Sequence, residues 1–335
     1  MTKDSDLDID FVIPWVDGSD PEWLAEFNKY APVAERREID CSEKRYRDYG
    51  LLRYWFRGVE KFAPWVRTVH FVTCGQKPDW LNLDAPKLHW VKHSDYIRAE
   101  YLPVFSANPI EIGMRAIPDL AEHFVYFNDD FFLTAPVRKN FFFRNGLPCD
   151  AASLNIIPTT ELMGHIILNN LDEINRHFKT HSVIGKSILK WLNPKYGVRN
   201  FRTLFLLPWP RFSGFYDPHF AQPYTKLLLK EVWENCEEAL SHTMSNRFRS
   251  ASDVNQWLFR YWMLCKGEFY PHYLEKHRKY FNVDESADEI VYAIKLQKYQ
   301  EIVLNDADVA DYDATMMKIA AAFDEILPEK SSFEV

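Results

Sequence analysis

Two short apolar runs that stop abruptly in acidic turns constrain this chain more than any other feature. Ile9-Asp10-Phe11-Val12-Ile13-Pro14-Trp15-Val16 ends at Asp17-Gly18-Ser19-Asp20-Pro21, and Phe124-Val125-Tyr126-Phe127 ends at Asn128-Asp129-Asp130. Runs this short and this rich in β-branched and aromatic residues read as buried strands. After the first, Gly18 permits a tight turn, Asp20 is a good N-cap and Pro21 suits the first helical position. A helix through Trp23, Leu24 and Phe27 should follow. Within 45–62, Leu51, Leu52, Trp55, Phe56 and Val59 recur at helical spacing. Strands are expected at 66–73 and 87–91, and a helix at 110–123. Helices and strands alternating in this way give an α/β fold with a mostly parallel central sheet flanked by helices. In such sheets ligands collect beyond the carboxyl ends of the strands, where Asp17, Gly75 and Asp129 fall.

After Asp130 the pattern changes. Residues 131–143 are aromatic and basic, 150–157 read as a strand, and 160–192 as mainly helical. Residues 207–218 are rich in Pro and aromatics, and helices are expected at 222–242 and at 252–266, the latter capped by Ser252. The tract 289–303 suits strand and helix equally, and 309–327 forms an amphipathic closing helix. The expected organisation is a single domain over 1–330, with 131–215 as a largely helical insertion within it.

Composition narrows the function. With 47% hydrophobic residues in 335, the chain can bury a large core, which excludes disorder. A net charge of −8 argues against a general nucleic-acid binder. Only 11 glycines occur, and neither Gly-x-Gly-x-x-Gly nor Gly-x-x-x-x-Gly-Lys-Ser/Thr is present. Rossmann dinucleotide and P-loop cradles are therefore excluded, and a bound nucleotide would have to be held by carboxylates, a metal and other side chains. Five scattered cysteines without Cys-x-x-Cys fit a reducing compartment. No apolar segment at the start resembles a signal peptide, and no run is long enough to span a bilayer. The expectation is a cytoplasmic protein.

Several residues are candidates for chemistry. Asp129 and Asp130, following a buried strand, suit a hard cation such as Mg2+ or Mn2+ on a diphosphate; the same pair also makes an ordinary solvated turn. Asp17 is either a turn residue beside Gly18 or a contact to base or ribose. Glu111 fits the dipole at a helix start. His219 is of the type that accepts a hydroxyl proton near neutral pH. Arg249, ahead of a helix, could neutralise a phosphoryl group. His177 and His181 lack the metalloprotease Glu and read as structural. Trp209, Phe212, Phe215 and Tyr216 read as core, or as a sugar-stacking platform or lid.

Taken in order, these segments resemble the Stealth family of phosphotransferases, which contains bacterial capsular polysaccharide enzymes and the catalytic subunit of the lysosomal-enzyme N-acetylglucosamine-1-phosphotransferase. The first region is Ile9 to Trp23. The second combines Arg45-Tyr46-Arg47-Asp48-Tyr49, Ala63-Pro64-Trp65-Val66-Arg67, Val72 to Pro78, Leu102 to Phe105, Ile110-Glu111 and Phe127 to Phe131. Shorter matches surround His219, Pro223 and Lys226, and join Phe248-Arg249-Ser250 to Asp253-Val254-Asn255. Pro14 stands where Thr is usual, Ser106-Ala107-Asn108-Pro109 departs from the family pattern, and 131–215 has no counterpart in these motifs; the resemblance implies that 1–330 is a single catalytic domain in which 131–215 recognises the acceptor. The resemblance implies a nucleotide-sugar fold of the GT-A or Rossmann-like kind and a divalent metal on Asp129 and Asp130. It also implies catalytic roles for Glu111, Asp130, His219 and Arg249. Asp17, Gly18, Arg45, Gln76 and Asn255, which lie in the matching motifs, are expected around the donor. The expected reaction moves a sugar-1-phosphate, first of all N-acetylglucosamine-1-phosphate, from a UDP-sugar to a glycan hydroxyl and releases UMP. Two alternatives stand beside it: a metal-dependent glycosyltransferase releasing UDP, and a non-catalytic glycan-binding protein. Expected partners are the UDP-sugar, the glycan and, peripherally, a capsule or polysaccharide assembly machinery, with no nucleic acid.

Overall fold

A computed structural model describes residues 6–31, 50–158, 161–283, 287–306 and 311–335. In chain order the strands are β1 (Ile9–Pro14), β2 (Val69–Thr73), β3 (Leu88–Lys92), β4 (His123–Tyr126), β5 (Phe131–Leu133), β6 (Phe143–Arg144), β7 (Leu147–Asp150), β8 (Gln222–Thr225), β9 (Tyr270–Pro271), β10 (Arg278–Val283) and β11 (Glu301–Asp306). Helices α1 (Pro21–Tyr30), α2 (Leu52–Phe62) and α3 (Ala107–Ile112) belong to the first half. The second half holds α4 (Leu162–His177), α5 (Thr180–Lys186), α6 (Ile188–Trp191), α7 (Arg199–Leu206), α8 (Lys226–Asn235), α9 (Glu237–Ser245), α10 (Trp257–Lys266), α11 (Ala287–Lys295) and α12 (Tyr312–Ile326).

The central sheet has the order β3-β2-β1-β4-β8. The pairs β3–β2, β2–β1 and β1–β4 are parallel, and β8 closes the edge antiparallel to β4. Successive side chains of a strand point to opposite faces, and both faces of this sheet are buried, as parallel strands require. Ile9, Phe11 and Ile13 pack on one face with Trp55, Phe56 and Val59 of α2 and with α11 and α12. Val12, Phe124 and Tyr126 pack on the other with α4, α8, α9 and α10. The architecture is the mixed α/β one expected for a nucleotide-sugar fold of the GT-A kind.

The chain leaves β1 to build β2 and β3 on one side, then crosses to β4 on the other. The carboxyl ends of β1 and β4 therefore flank a switch point, where a crevice opens. As expected, Asp20 caps α1 by accepting from the Trp23 N–H at 2.8 Å, with Pro21 in its first turn.

Several expectations are corrected. The helix expected at 110–123 is only the six-residue α3, because Gly113 and Pro118 interrupt it and a single 3-10 turn follows. Residues 222–225 do not open a helix; they form β8, and the helical part of 222–242 divides into α8 and α9. Ser252 caps nothing, since α10 starts at Trp257. The strand expected at 150–157 shrinks to an isolated bridge between Leu154 and Phe215 after β7 ends. The undecided tract 289–303 is both: its first part lies in α11, and its end enters β11. β11 pairs with β10 and, antiparallel, with β5, forming a second sheet that the sequence reading did not anticipate.

Candidate active site

A cleft of about 600 Å³ opens at the carboxyl ends of the parallel strands. Trp15 and Val16 after β1, and Asn128, Asp129 and Asp130 after β4, form its floor. Asn128 to Phe131 make a tight turn, with the Phe131 N–H donating to the Asn128 carbonyl at 3.2 Å. That turn reverses the chain into β5 and leaves the two aspartates lining the cleft.

Two antiparallel pairings bring distant residues to this turn. In β8–β4, Gln222 lies opposite Tyr126, so the residues just ahead of β8 emerge beside the end of β4. His219 thereby places Nε2 3.7 Å from Asp130 Oδ2, with its ring edge-on to Phe131 at 4.9 Å. In β11–β5, Val303 lies opposite Phe131, and the Leu304 N–H donates to the Asp130 carbonyl at 3.0 Å. The next residues, Asn305 and Asp306, join the lining. The segment before His219 is fixed from below by a charge network around the buried Arg260 and Asp150. Arg260 grips Asp150 through Nε (2.8 Å) and Nη2 (2.9 Å) and reaches Asp217 Oδ1 at 3.1 Å, while the Tyr261 hydroxyl donates to Asp217 Oδ2. Burial pushes the Asp217 carboxyl up to about 6, against the opposing pull of Arg260 and Tyr261.

Glu111 enters from α3. It is 8% exposed, and its Oε1 accepts from the Tyr126 hydroxyl at 3.0 Å. Burial raises its carboxyl to about 7, while Tyr126, Arg249 and His219 pull the other way. A carboxyl held there can exchange a proton at neutral pH. Arg249 sits in a turn tied to α3. The Asp253 carboxylate accepts from Asn108 (2.8 Å), Asn246 (2.7 Å) and the Ser250 N–H (2.9 Å), and the Phe105 N–H donates to the Arg247 carbonyl at 2.7 Å. Phe248 stacks on Phe105 at 5.2 Å and meets Phe27 of α1 edge-on at 5.4 Å, locking the turn from outside.

Glu111, Asp129, Asp130, His219, Arg249 and Asn255 thus converge on one cleft. Asn255 is engaged in structure: its Oδ1 accepts from Asn170 Nδ2 at 2.7 Å and its N–H donates to Asn170 Oδ1 at 3.1 Å. Asp17, Gly18 and Gln76 are not among the lining residues. Gln76 clamps the turn after β1 instead, its amide bonding both the N–H (3.1 Å) and the carbonyl (2.9 Å) of Asp17. Arg45 lies outside the described residues. His181 bonds the Leu207 carbonyl at 2.7 Å and His177 packs on Trp262, as structural histidines do. Phe212 and Phe215 are core residues, stacked on each other, with Phe215 also stacked on Tyr261, whereas Trp209 faces outward.

Among the lining residues that local sequence did not single out for chemistry are Asp306 and Trp15. Asp306 had a signal: Leu304-Asn305-Asp306 repeats the apolar-Asn-Asp pattern of Phe127-Asn128-Asp129 at the end of another β-rich run. Trp15 had none, because only the fold shows that its buried indole N–H has no hydrogen-bond partner among the described residues. Asp130 Oδ1 is likewise buried without a hydrogen-bond partner among them. Buried polar atoms are normally satisfied, so a donor and an acceptor left open in one cleft mark where a ligand belongs. Asn128, Asp129, Asp130 and Asp306 offer oxygen acceptors to the cleft, the donor type that a hard divalent cation takes.

Known proteins carry the same arrangement of sequence. The family model described as Stealth protein CR1, conserved region 1, matches residues 7–32, and that for Stealth protein CR2, conserved region 2, matches residues 45–150. The capsular polysaccharide phosphotransferase WcwK of Streptococcus pneumoniae is 38% identical over 328 residues, covering 97% of this chain and 98% of its own. The receptor polysaccharide phosphotransferase WefC of Streptococcus oralis is 39% identical over 332 residues, 98% of this chain and 99% of its own. The exopolysaccharide phosphotransferase cps2G of Lactiplantibacillus plantarum is 38% identical over 337 residues, 100% of this chain and 98% of its own. The likeness extends well past the motifs read from the sequence, through 131–215 and the strands that close the cleft. With relatives aligned over nearly their full length and both conserved regions lying where the cleft is built, this chain belongs to the Stealth family of phosphotransferases.

Proposed function

We propose that this protein transfers a sugar-1-phosphate, N-acetylglucosamine-1-phosphate in the first instance, from a UDP-sugar to a hydroxyl of a polysaccharide. The observation that carries this reading is the convergence of Glu111, Asp130, His219 and Arg249, from four separate segments, on one cleft at the switch point of the sheet. The names of the relatives, polysaccharide phosphotransferases, support the reaction class.

In the proposed step the acceptor oxygen attacks the β-phosphorus in line. The new O–P bond forms as the bond from the β-phosphorus to the bridging oxygen breaks; UMP departs with that oxygen, and the sugar is left in a phosphodiester. Charge spreads over the phosphoryl oxygens, so positioning and electrostatics dominate the rate. Arg249 neutralises that charge. His219 takes the hydroxyl proton: its side chain is 41% exposed, whereas one oxygen of buried Glu111 is occupied by Tyr126. Glu111 then holds the charge and orientation of Arg249. A Mg2+ or Mn2+ ion, when bound at Asp129 and Asp130, would neutralise the diphosphate. Of the expected donor surroundings, Arg45 and Asn255 remain our proposal, with the turn built by Asp17, Gly18 and Gln76 as their support, and α4, which contributes Met163 to the lining, is the acceptor side.

The test is to incubate the protein with UDP-N-acetylglucosamine, Mg2+ and a polysaccharide acceptor, and to identify the nucleotide released. UMP, with a phosphodiester signal in the phosphorus spectrum of the polymer, is the expected result. Release of UDP would mean attack at the anomeric carbon and would overturn the proposal.

A further inference from the structure

Residues 174–216 contain eight Lys and Arg and no Asp or Glu. Since the whole chain carries −8, the remainder carries −16. The same stretch turns large apolar side chains to solvent: Leu189 is 79% exposed, Val198 80% and Phe205 76%, with Phe201, Leu204 and Trp209 also outward. Helix α7 is inverted relative to an ordinary surface helix. Its buried residue is Thr203, whose hydroxyl lies 3.3 Å from that of Ser153 and accepts from the Leu154 N–H at 3.2 Å. Of its four apolar residues, Leu206 packs half-buried against the core, and Phe201, Leu204 and Phe205 fall at i, i+3 and i+4 on the side away from it. An amphipathic helix presents that face to a core or to another apolar phase, and here the core is on the other side. Lys179, Lys186, Lys195, Arg202 and Arg211 are exposed along the same stretch.

We infer that the face formed by α6, α7 and the loop to Trp209 docks peripherally on an anionic lipid bilayer. Leu189, Val198, Phe201, Phe205 and Trp209 enter the boundary between headgroups and acyl chains, and the flanking Lys and Arg meet lipid phosphates. This combination of exposed aromatics and aliphatics with a basic border is what interfacial membrane segments share. Charge complementarity selects this occupant. A second copy related by a two-fold axis would set one basic face against the same basic face, and a neutral glycan offers neither the negative charge nor the apolar depth. No described helix is long and apolar enough to cross a membrane, so the contact is one of surface insertion.

Flotation of the full chain with vesicles tests this. Vesicles of phosphatidylglycerol and phosphatidylcholine in equal parts should carry the protein upward, and vesicles of phosphatidylcholine alone should not. The variant F201S/F205S/W209S should partition about tenfold or more less onto the anionic vesicles. K186E/R202E should lose about fivefold for each charge removed and more for its reversal. All these residues lie outside the cleft, so both variants should keep the parent's melting temperature and its turnover of a water-soluble acceptor. No flotation with anionic vesicles, or unchanged flotation of the triple variant, would overturn the inference. A parent dimer, seen by light scattering and converted to monomer by the triple substitution, would overturn it as well, because the apolar face would then belong to a second copy.

Discussion

Two acidic turns, side by side in the fold, end the neighbouring parallel strands β1 and β4, and they differ in one physical respect. Asp17, after β1, spends its carboxylate locally: Oδ1 accepts from the Ser19 N–H at 2.8 Å and the Ser19 hydroxyl at 2.6 Å, while Gln76 holds its peptide. Asp130, after β4, keeps a buried oxygen without a hydrogen-bond partner among the described residues, and its other oxygen faces His219. The same residue type at the same topological position builds a turn in one case and is left open toward a cleft in the other. Whether a carboxylate is already satisfied separates scaffold from candidate chemistry better than its place at a strand end.

Four substitutions break or sharpen this contrast. Asp130→Ala is expected to lower kcat by about 10³-fold or more, equivalent to about 4 kcal/mol of barrier, with the melting temperature unchanged or raised, because an unsatisfied buried oxygen disappears; single-turnover assays and a thermal melt read both. Arg260→Met leaves Asp150 and Asp217 facing each other without compensation and should cost about 3 kcal/mol of stability in urea titrations. In the surviving folded fraction, kcat should fall more than KM rises, as expected if the network positions His219.

Glu111→Gln addresses pH. The folded-state pKa of about 7 is above the ordinary 4.5, so the stability contributed by protonated Glu111 is fully present below pH 4.5 and is lost as pH rises through 7. The glutamine variant should therefore gain up to about 2 kcal/mol over the parent at pH 8 and almost nothing at pH 4, while turnover falls. Equal melting shifts at both pH values would refute the raised carboxyl. Asp17→Ala is the smallest change: about 1 kcal/mol of stability, as for a lost cap, with kcat within about threefold of the parent. A large rise in KM for the UDP-sugar would instead move Asp17 from turn builder to donor contact.

Much of the fold was legible because it rests on local signals. The short apolar runs of β1 and β4, the Asp20-Pro21 helix start and the helical spacing through Trp55, Phe56 and Val59 each follow from residues a few positions apart. β8 was missed because Gln-Pro-Tyr-Thr carries no strand signature of its own; it becomes a strand by pairing with β4, about a hundred residues earlier in the chain. Leu304-Asn305-Asp306 carries the apolar-Asn-Asp signal, but only the pairing of β11 with β5, which follows the aspartate turn, brings it to the cleft. The outward stripe of α7 was hidden differently. Periodicity reveals that a helix has an apolar face, and says nothing of which side the core lies on.

The sequence by itself determined the alternation of strands and helices, the placement of acidic turns at strand ends and the membership of the family, all of which depend on local spacing and on motif order. Only the tertiary structure decided that His219 meets Asp130, that Asp17 is satisfied while Asp130 is not, and that α7 turns its aromatics to solvent. Those outcomes depend on which distant segment arrives at a given atom, and strand pairing and burial fix that through contacts no local window contains.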